Sequence, residues 1–552
     1  MRLKHLKPLR VIVSLFFLIT ATLIFIDIRH EFSEEFISSF LFLQFAPSVI
    51  KILQVLSLSA IGFIIIMLLT GLFGRVYCST ICPLGIFQDV ISWLSIKLRK
   101  KKRPYKFAKP HNILRYSLLG LTVLFLLFGS ITILSLLDPY SNFGRFITYF
   151  ARPGVIGVNN WLASILTDRG VYTLFPVSEA AINLGIMVFP LLMLGLVAGL
   201  SYKYGRLYCN TVCPVGTLLG YASKFSVFRI FIDEKACTRC GRCDRICKSS
   251  CISFRDSKID FDRCVACYNC LTVCPDNAIK YSFNHSNPDS VSEDAGLSVK
   301  FNETPAKTPG NPEVPKESSK VNGPDKSKRN FLLSSMLMLF GINRFAKVSG
   351  VDIPEPEQAT KIPEDRDVPV VSPPGSVSID SFNKACTACT LCVGVCPTNV
   401  LQPSLFEYGV SGLLQPRLDF HAGFCNFDCT ACGEVCPTGA ILPLTQENKH
   451  VTQIGFVKFE KENCVVYTDN TSCGACSEHC PTRACDMVPY KGELTIPEVD
   501  VSICIGCGAC EYICPTRPYR AIFVDGNSRH EIADRPETEA VEKDVDFEEF
   551  PF

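Results

Sequence analysis

Histidine is scarce in this chain, and the motifs that hold haem are missing. Only 8 of the 552 residues are histidine. No C-x-x-C-H motif occurs, and no long apolar stretch carries a pair of histidines, so we expect no haem. The sequence also lacks a P-loop, a Rossmann glycine pattern and a Ser/His/Asp set. The formal net charge is only +2, so nothing in the composition indicates a nucleic acid partner.

Cysteine, in contrast, is abundant. The chain has 30 cysteines, and most fall into six near-copies of C-x2-C-x2-C-x3-C, the spacing that binds a [4Fe–4S] cluster. The first, second, third and sixth copies have the regular spacing. The fourth copy is one residue longer, and the fifth copy has a long gap between its first two cysteines. The predicted cluster ligands, motif by motif, are Cys237, Cys240, Cys243 and Cys247; Cys264, Cys267, Cys270 and Cys274; Cys386, Cys389, Cys392 and Cys396; Cys425, Cys429, Cys432 and Cys436; Cys464, Cys473, Cys476 and Cys480; Cys504, Cys507, Cys510 and Cys514. The sequence therefore predicts six [4Fe–4S] clusters and no catalytic acid or base.

Disulfides and zinc are the alternative uses of these cysteines. Disulfides concentrate in small secreted domains with irregular spacings, and zinc sites use paired C-x2-C arms, so the pattern favours iron–sulfur clusters. Cys251 and Cys485 lie outside it, and we interpret both as bystander thiols. Cys485 could nevertheless replace Cys464, which stands far from the rest of the fifth motif. Lys248 follows the first motif, where the other five have proline.

The last cysteine of each motif raises the question of cluster pairing. In two-cluster ferredoxins it ligates the other cluster. Cys274 would then join the first three cysteines of the first motif, and Cys247 those of the second. For the four C-terminal motifs two arrangements stay open: neighbouring motifs pair, or the pairs are nested, with the third motif joining the sixth.

The first 230 residues contain four apolar stretches, each long enough to cross a bilayer. They cover residues 9–28, 51–74, 112–137 and 181–202. Basic residues at the start of the chain and at 97–103 are expected in the cytoplasm. Residues 29–50 and 138–180 would then face outward, and the first two clusters would be cytoplasmic. We predict a multi-pass protein of the bacterial cytoplasmic membrane, in contact with the lipid bilayer.

A second internal repeat lies at the predicted cytoplasmic ends of the second and fourth stretches. Residues 74–85 match residues 205–216 at eight of twelve positions, and each copy carries C-x3-C-P. On a helix this spacing puts both sulfurs on one face, so the four thiols could converge as an additional thiol or metal site. The alternative is that they are small residues packed at helix ends. The four are Cys78, Cys82, Cys209 and Cys213. Because the spans hold no fixed haem, the predicted redox partner is the membrane quinone pool.

Composition divides the whole chain into six segments. The predicted organisation is a transmembrane domain at 1–230, a two-cluster module at 231–284, a disordered linker at 285–326, a twin-arginine-like or membrane-anchor segment at 327–350, a four-cluster domain at 351–530 and an acidic tail at 531–552. The predicted fold class is multidomain: a four-helix transmembrane α domain plus small α+β ferredoxin-like modules that each hold two clusters. If the segment at 327–350 is an export signal, the last four clusters are periplasmic.

Two resemblances follow from these motifs. Residues 1–285 resemble the NapH-type membrane ferredoxins, a group that includes NosR-like and CcoG-like proteins, through the four spans, the two C-x3-C-P motifs and the module at 237–275. Residues 327–525 resemble a NapG/MauM-type four-cluster ferredoxin, through the twin-arginine-like start, Ser372-Pro-Pro-Gly375 and the stretched motifs. The chain would be a fusion of the two. The resemblance implies a quinol-oxidising membrane complex that feeds a periplasmic reductase.

The combined interpretation is a membrane-bound iron–sulfur electron carrier or a component of a quinol dehydrogenase. It would relay electrons from quinol to a reductase or cytochrome. Two alternatives remain: a maturation or metal-handling factor that uses the C-x3-C thiols to assemble another respiratory enzyme, and a redox sensor. The direction of electron flow stays open, because cluster potentials cover roughly −700 to +450 mV.

Overall fold

The computed structural model describes residues 5–29, 31–54, 61–98, 105–178, 184–283 and 370–535. These residues all belong to one compact unit, formed by Met1–Ser286 together with Thr360–Phe552. The predicted linker at 285–326, the twin-arginine-like segment at 327–350 and residues 536–552 of the predicted tail lie outside the described residues.

Helices form the N-terminal part of this unit. Side-chain caps define the starts of three of them: Ser33 accepts a hydrogen bond from Phe36 N, Asp138 from Ser141 N, and the Cys213 thiol from Gly216 N. The helices are α1 Leu6–Ile26, α2 Glu34–Leu41, α3 Phe45–Gln54, α4 Ile61–Phe73, α5 Val76–Thr80, α6 Pro83–Leu98, α7 Asn112–Leu127, α8 Thr132–Leu137, α9 Pro139–Phe146, a π-helix at Ile147–Ala151, α10 Arg152–Thr167, α11 Leu184–Tyr204, α12 Leu207–Thr211 and α13 Pro214–Ser223.

Two helices in the described part of the chain are long and apolar enough to cross a membrane, α1 and residues 185–204 of α11. They match the predicted spans at 9–28 and 181–202. The bent pair α2 and α3, which meet at 91°, could form a third span or a re-entrant loop. The predicted count of four spans is not confirmed.

The predicted spans at 112–137 and 51–74 differ from the structure. The first is interrupted: α7 ends at Leu127, and Gly129 follows with a φ of +74°. A glycine in this left-handed conformation terminates helices, and α8 then begins at Thr132. Within the second, residues 55–60 lie outside the described part, and α4 has 13 residues.

The first two-cluster module is a small α+β unit. Strand β1, Phe228–Ile232, pairs antiparallel with β4, Ile279–Phe283, and enclosed between them are the hairpin of β2 and β3 and two short helices. The enclosed elements are α14 Arg242–Ile246, β2 Ile252–Ser253, β3 Lys258–Ile259 and α15 Asn269–Val273. Because β1 begins at Phe228, the module starts before the predicted boundary at 231.

The C-terminal domain has the same character, with short helices and three two-stranded antiparallel sheets in the described residues: β5 with β6, β7 with β10, and β8 with β9. Strand β10 and the hydrogen bond from Ala533 N to Val451 O extend past the predicted boundary at 530. The elements are α16 Ile379–Ala385, α17 Leu391–Val395, β5 Leu401–Pro403, a 3-10 turn at Val410–Gly412, β6 Pro416–Leu418, α18 Ala431–Glu434, α19 Gln446–His450, β7 Thr452–Phe459, a 3-10 turn at Lys461–Asn463, α20 Val465–Thr468, α21 Ala475–Glu478, β8 Cys485–Pro489, β9 Thr495–Val499, α22 Ala509–Ile513 and β10 Ile522–Ile532.

Candidate iron–sulfur and thiol sites

The four regular cysteine motifs share one loop conformation. In each, the residue before the second cysteine and the residue after it have positive φ angles, between +47° and +75°. The pairs are Arg239 and Gly241, Ala266 and Tyr268, Ala388 and Thr390, and Gly506 and Gly508. In the stretched motifs the residue after the corresponding cysteine, Thr430 or Gly474, has a φ of −115° or −126°. The regular spacing therefore corresponds to one backbone conformation and the stretched spacing to another.

Polar groups surround the last cysteine of most motifs. In all four C-terminal motifs a threonine two residues later places its hydroxyl 3.2 to 3.8 Å from the cysteine sulfur. Backbone N–H groups also donate to sulfur, from Ala278 to Cys274 at 3.3 Å and from Ile441 to Cys436 at 3.4 Å. Such donors favour the thiolate and tune the potential of a bound cluster.

Cys247 lies with the second motif rather than with its own. Its thiol interacts electrostatically with Cys267 and Cys270, and both of those interact with Cys264. Cys243 interacts with Cys237 and Cys240 of its own motif and also with Cys270 of the second. This is the exchange expected of a two-cluster ferredoxin.

In the C-terminal domain, neighbouring motifs exchange their last cysteines. The thiol of Cys436 lies with the third motif and that of Cys396 with the fourth, while Cys480 lies with the sixth. The interacting sets are Cys386, Cys389, Cys392 and Cys436; Cys425, Cys429, Cys432 and Cys396; and Cys504, Cys507, Cys510 and Cys480. Cys464 interacts with Cys473 and Cys476. Of the two pairings left open by the sequence, the structure has the neighbouring one.

The two C-terminal pairs meet at one point. Cys425 N donates to Cys507 O at 2.9 Å, and the two thiols interact. The set around Cys425 therefore lies next to the set around Cys507.

Cys251 and Cys485, predicted to be bystanders, both contact predicted ligands. The Cys251 sulfur lies 3.4 Å from that of Cys247 and also hydrogen-bonds to Cys264, and Cys485 hydrogen-bonds to Cys476. The sequence signal for Cys251 is its position four residues after a motif's last cysteine, where the second motif has Ala278.

The four C-x3-C thiols come together inside the helical part. Each is only 2 to 4% exposed, and all six pairs among them interact electrostatically. Gly85 N and Gly216 N donate to Cys82 and Cys213, and Gln88 Nε2 donates to Cys209 at 3.2 Å. In the described part of the chain, no three His, Cys, Asp or Glu side chains form a group that could hold a single metal ion. This includes the ferredoxin motifs, whose thiols would instead bind separate corners of a cubane.

Two buried arginines connect the copies of the C-x3-C repeat to each other and to the first module. Arg75 and Arg206 occupy the same position in the two copies, and neither is exposed to solvent. Arg75 donates to Gly216 O at 2.7 Å and to Cys264 O at 3.2 Å, and Arg206 donates to Cys78 O. Sequence reasoning assigned these residues no role, although the identity of Gly-Arg-x-Tyr-Cys in both copies was a visible signal.

Asp89 is the acidic centre of this interface. Its carboxylate pairs with Arg206 at 2.8 Å, with Lys248 at 3.0 Å and with Arg10 at 3.1 Å. Burial by itself would raise the pKa of Asp89, but the cations outweigh it and hold that pKa below its ordinary value. Lys248 is the residue that replaces proline, and Ser250 nevertheless keeps the left-handed turn that Asn277 makes in the second motif.

A third buried arginine binds the C-terminal domain. Arg145, in α9, donates to Ala388 O at 2.9 Å and to Thr387 O at 3.2 Å, within the loop of the third motif. Gly144 packs so closely that a β-carbon there would lie 2.5 Å from Cys389 O. The loop of the third motif therefore packs directly against helix α9.

Four families of iron–sulfur domains match five segments of the chain. A 4Fe-4S binding domain matches residues 57–104 and 186–231, 4Fe-4S dicluster domains match 385–441 and 471–517, and another 4Fe-4S binding domain matches 257–280. The chain therefore carries 4Fe-4S ferredoxin domains.

Curated relatives of the chain include ferredoxin-type and electron-transport proteins. The chain is 26% identical over 245 residues to the ferredoxin-type protein NapH of Haemophilus influenzae, covering 42% of this chain and 71% of NapH. It is also 26% identical to the putative electron transport protein YccM of Escherichia coli (39% of this chain, 52% of YccM) and to the methylamine utilization ferredoxin-type protein MauN of Methylobacillus flagellatus (32% and 48%). No solved structure matches. The relatives and the long apolar helices indicate a membrane-associated electron-transfer protein.

Proposed function

We propose that this protein carries electrons between membrane quinol and a reductase or cytochrome through six [4Fe–4S] clusters. The observation that carries the proposal is the exchange of last cysteines between neighbouring motifs, which assembles sets of four thiols. Four thiolates are the ligand set of a cubane. Six such sets would give a series of one-electron carriers and no site for acid–base catalysis.

The ligand sets follow from the interactions among the thiols. In four of them the interactions support all four members, and in the other two the partner is assigned by the same exchange. The four are Cys264, Cys267, Cys270 and Cys247; Cys386, Cys389, Cys392 and Cys436; Cys425, Cys429, Cys432 and Cys396; and Cys504, Cys507, Cys510 and Cys480. The other two are Cys237, Cys240 and Cys243 with Cys274, and Cys464, Cys473 and Cys476 with Cys514.

The proposed order of the C-terminal clusters follows from the contacts between sets. The set that contains Cys386 comes first, because Arg145 binds the loop of the third motif. The set around Cys425 is its exchange partner and comes second. The set around Cys507 comes next, because Cys425 N donates a hydrogen bond to Cys507 O. The set around Cys464 would stand at the far end. Electrons would therefore travel between the helical part and that end through four clusters in sequence.

A quinone site is proposed beside the third-motif set. A cavity of about 730 Å³ lies between α2 and the loop of the fourth motif, and Cys436 lines it together with Glu34, Glu35, Lys51 and Lys384. The neighbouring helices α2 and α3 form the bent apolar pair that could enter the membrane. A quinol there would have polar groups for its head and a cluster ligand beside it.

The proposed topology puts the first module in the cytoplasm and the C-terminal domain in the periplasm. Two sets of contacts support it. The first module contacts Arg75, Arg206 and Arg115, in segments that the positive-inside rule assigns to the cytoplasmic face. The C-terminal domain contacts Arg145 and Thr148, in the stretch assigned to the outer face.

Quinol-driven reduction tests this function. Membranes that contain the full chain are mixed with a menaquinol analogue under anaerobic conditions, and the reduced clusters are followed by EPR during a potentiometric titration. We expect reduction of the C-terminal clusters, slowed by Lys384→Ala at unchanged iron content, with the exposed, remote Lys280→Ala as the matched control. If no cluster in the wild type accepts electrons from quinol, the proposed function is wrong and a role in maturation or sensing replaces it.

A further inference from the structure

Hydrogen bonds connect the segments of the C-x3-C thiols to both cluster-bearing parts. On one side, Arg75 donates to Cys264 O of the first module and to Gly216 O, and Gly216 N donates to the Cys213 sulfur. On the other side, Tyr208, the neighbour of Cys209, donates to Leu137 O, and Arg145 in the following helix donates to Ala388 O in the third motif. The four thiols therefore lie between a predicted ligand set on each side.

The second side is built symmetrically from the two copies of the repeat. Tyr77 and Tyr208 occupy equivalent positions, and both interact with Asp138 and with thiols of the group. The Tyr208 hydroxyl donates to Leu137 O at 3.0 Å. The turn between α8 and α9 is therefore in contact with the repeat through Tyr208. This turn precedes Arg145, the residue that binds the loop of the third motif.

Arg75 is a buried cation beside both groups of thiols. Its guanidinium is fully buried, and its described partners are neutral: the carbonyl oxygens of Gly216, Arg263 and Cys264 and the side-chain oxygen of Asn210. A buried charge without a counter-charge is costly. A thiolate-bound cluster on either side of Arg75 would supply negative charge, one held by the Cys264 set and one by Cys78 and its three partners.

We propose that Cys78, Cys82, Cys209 and Cys213 together bind one further [4Fe–4S] cluster, which passes single electrons between the first module and the C-terminal domain. When one neighbouring cluster is oxidised by one electron, this cluster is reduced by one, and it is reoxidised as the other neighbour takes up the electron. No bond is formed or broken and no proton is transferred. The two segments that carry the thiols match a 4Fe-4S binding domain separately. In the proposed site, both segments contribute ligands to one cluster, and that cluster is a relay.

The local chemistry fits a cluster. Four thiols all interact with one another, two backbone N–H groups and one amide donate to the sulfurs, and the pocket is closed to water. Gly85 and Gly216 each lie against the carbonyl oxygen of the first cysteine in their own copy, where a β-carbon would collide. These glycines allow each C-x3-C turn to fold back on itself, so that the N–H groups reach the sulfurs.

Metal content is the first test, and it does not depend on quinol. Iron and acid-labile sulfide are counted in the full chain, purified anaerobically, with and without the double change C78S/C82S. We expect the variant to lose about four iron and four sulfide per chain, while the EPR signals of the six other clusters stay. Unchanged iron, one zinc per chain in the wild type, or a disulfide among these cysteines would each overturn the proposal.

The potential of the cluster is the second test, and it keeps the proposal falsifiable if C78S/C82S does not fold. Arg75→Gln removes a positive charge beside both Cys78 and Cys264, so two EPR-detected clusters outside the C-terminal domain, the proposed one and that of the Cys264 set, should titrate at lower potentials. Arg229→Gln is the matched control, because this arginine lies in β1, donates to Ser226 O and lies over the ring of Phe261. A lower potential for only one of these clusters, or for neither, would contradict a cluster at this position.

The relay role rests on the proposed function and is tested separately. In wild-type membranes, quinol should reduce the first module as well as the C-terminal clusters, and C78S/C82S should slow reduction of the first module at least tenfold. If the variant loses its iron but reduces the first module at the wild-type rate, the cluster is not a relay. If quinol reduces nothing in the wild type, the proposed function fails while the metal count and the potential still decide the site.

Discussion

Replacing Asp89 with asparagine should open the contact between the helical part and the first module. The carboxylate is about 10% exposed and is surrounded by Arg206, Lys248 and Arg10 at 2.8, 3.0 and 3.1 Å. Asparagine keeps the shape but removes the only negative charge in this group. Three buried or nearly buried cations would then face one another without compensation.

The expected cost follows from the burial of these partners. Arg206 is fully buried, and the side chains of Arg10 and Lys248 are 6% and 11% exposed. Removing one member of a buried ion pair costs about 3 to 5 kcal/mol. At about 1.4 kcal/mol for each factor of ten, the population of the open contact should rise about 140-fold to about 3700-fold.

Amide hydrogen exchange measures this opening directly. Arg206 N donates to Lys248 O at 2.9 Å across the contact, so the exchange rate of the Arg206 amide reports how often the two parts separate. We expect this amide to exchange faster in Asp89→Asn by the factor above. The double variant D89N/K248M removes one of the unpaired cations and should recover part of the protection.

Asp233→Asn is the matched control, because it is the same change at an ion pair of the same module. Asp233 pairs with Lys280 at 2.8 Å, but the lysine side chain is 52% exposed, and exposed pairs contribute little. The Arg206 amide should exchange at the wild-type rate in this control. If Asp89→Asn behaves like Asp233→Asn, the three-cation network does not hold the module in place.

Three further predictions concern the thiols, the repeat glycines and pH. Cys251→Ala and Cys485→Ala should leave iron and sulfide per chain unchanged, because the second motif has Ala278 and Ile279 at the corresponding positions; a loss of four iron would make the changed cysteine a ligand. Gly85→Ala and Gly216→Ala should each lower the free energy of unfolding of the detergent-purified chain by about 1 to 3 kcal/mol, because the new β-carbon collides with the carbonyl oxygen of Cys78 or Cys209. Gly71→Ala is the control, because a β-carbon there has no neighbour within 4 Å. Burial lowers the pKa of His530 to about 4, below its ordinary value near 6.5, so the unfolded chain binds more protons between these values. Stability should therefore be fully present above about pH 6.5 and fall by about 3 kcal/mol as the pH drops towards 4. His530→Gln should flatten this dependence in denaturant titrations, and an unchanged pH profile would contradict it.

The thiol sets illustrate what spacing along the chain can and cannot predict. The exchange of Cys247 follows from local sequence, because the last cysteine of a motif is carried away from the loop that holds the first three. The choice between neighbouring and nested pairs in the C-terminal domain depends on tertiary packing, which brings Cys436 to the third motif and Cys480 to the sixth, and no local pattern encodes it. That the cysteines are cluster ligands stays a prediction.

The membrane part was predicted less completely, for two physical reasons. Hydropathy averages over a window, so it did not register that Gly129 ends a helix inside the apolar stretch at 112–137. The buried arginines are hard to recognise because each lies beside apolar segments and is compensated from far along the chain. The repeat was the usable signal for Arg75 and Arg206, whereas Arg145 has no counterpart in it.

The crossed hydrogen bonds of the repeat affect how the chain folds during synthesis. Arg75 belongs to the first copy, but its acceptors include Gly216 O and Cys264 O, almost 200 residues later at the furthest. When the first copy leaves the ribosome, this arginine has no native partners inside the protein. The helical part consequently cannot reach its final packing until Cys264, the first cysteine of the second motif, has been synthesised. Assembly of the helical part is therefore coupled to assembly of the first module.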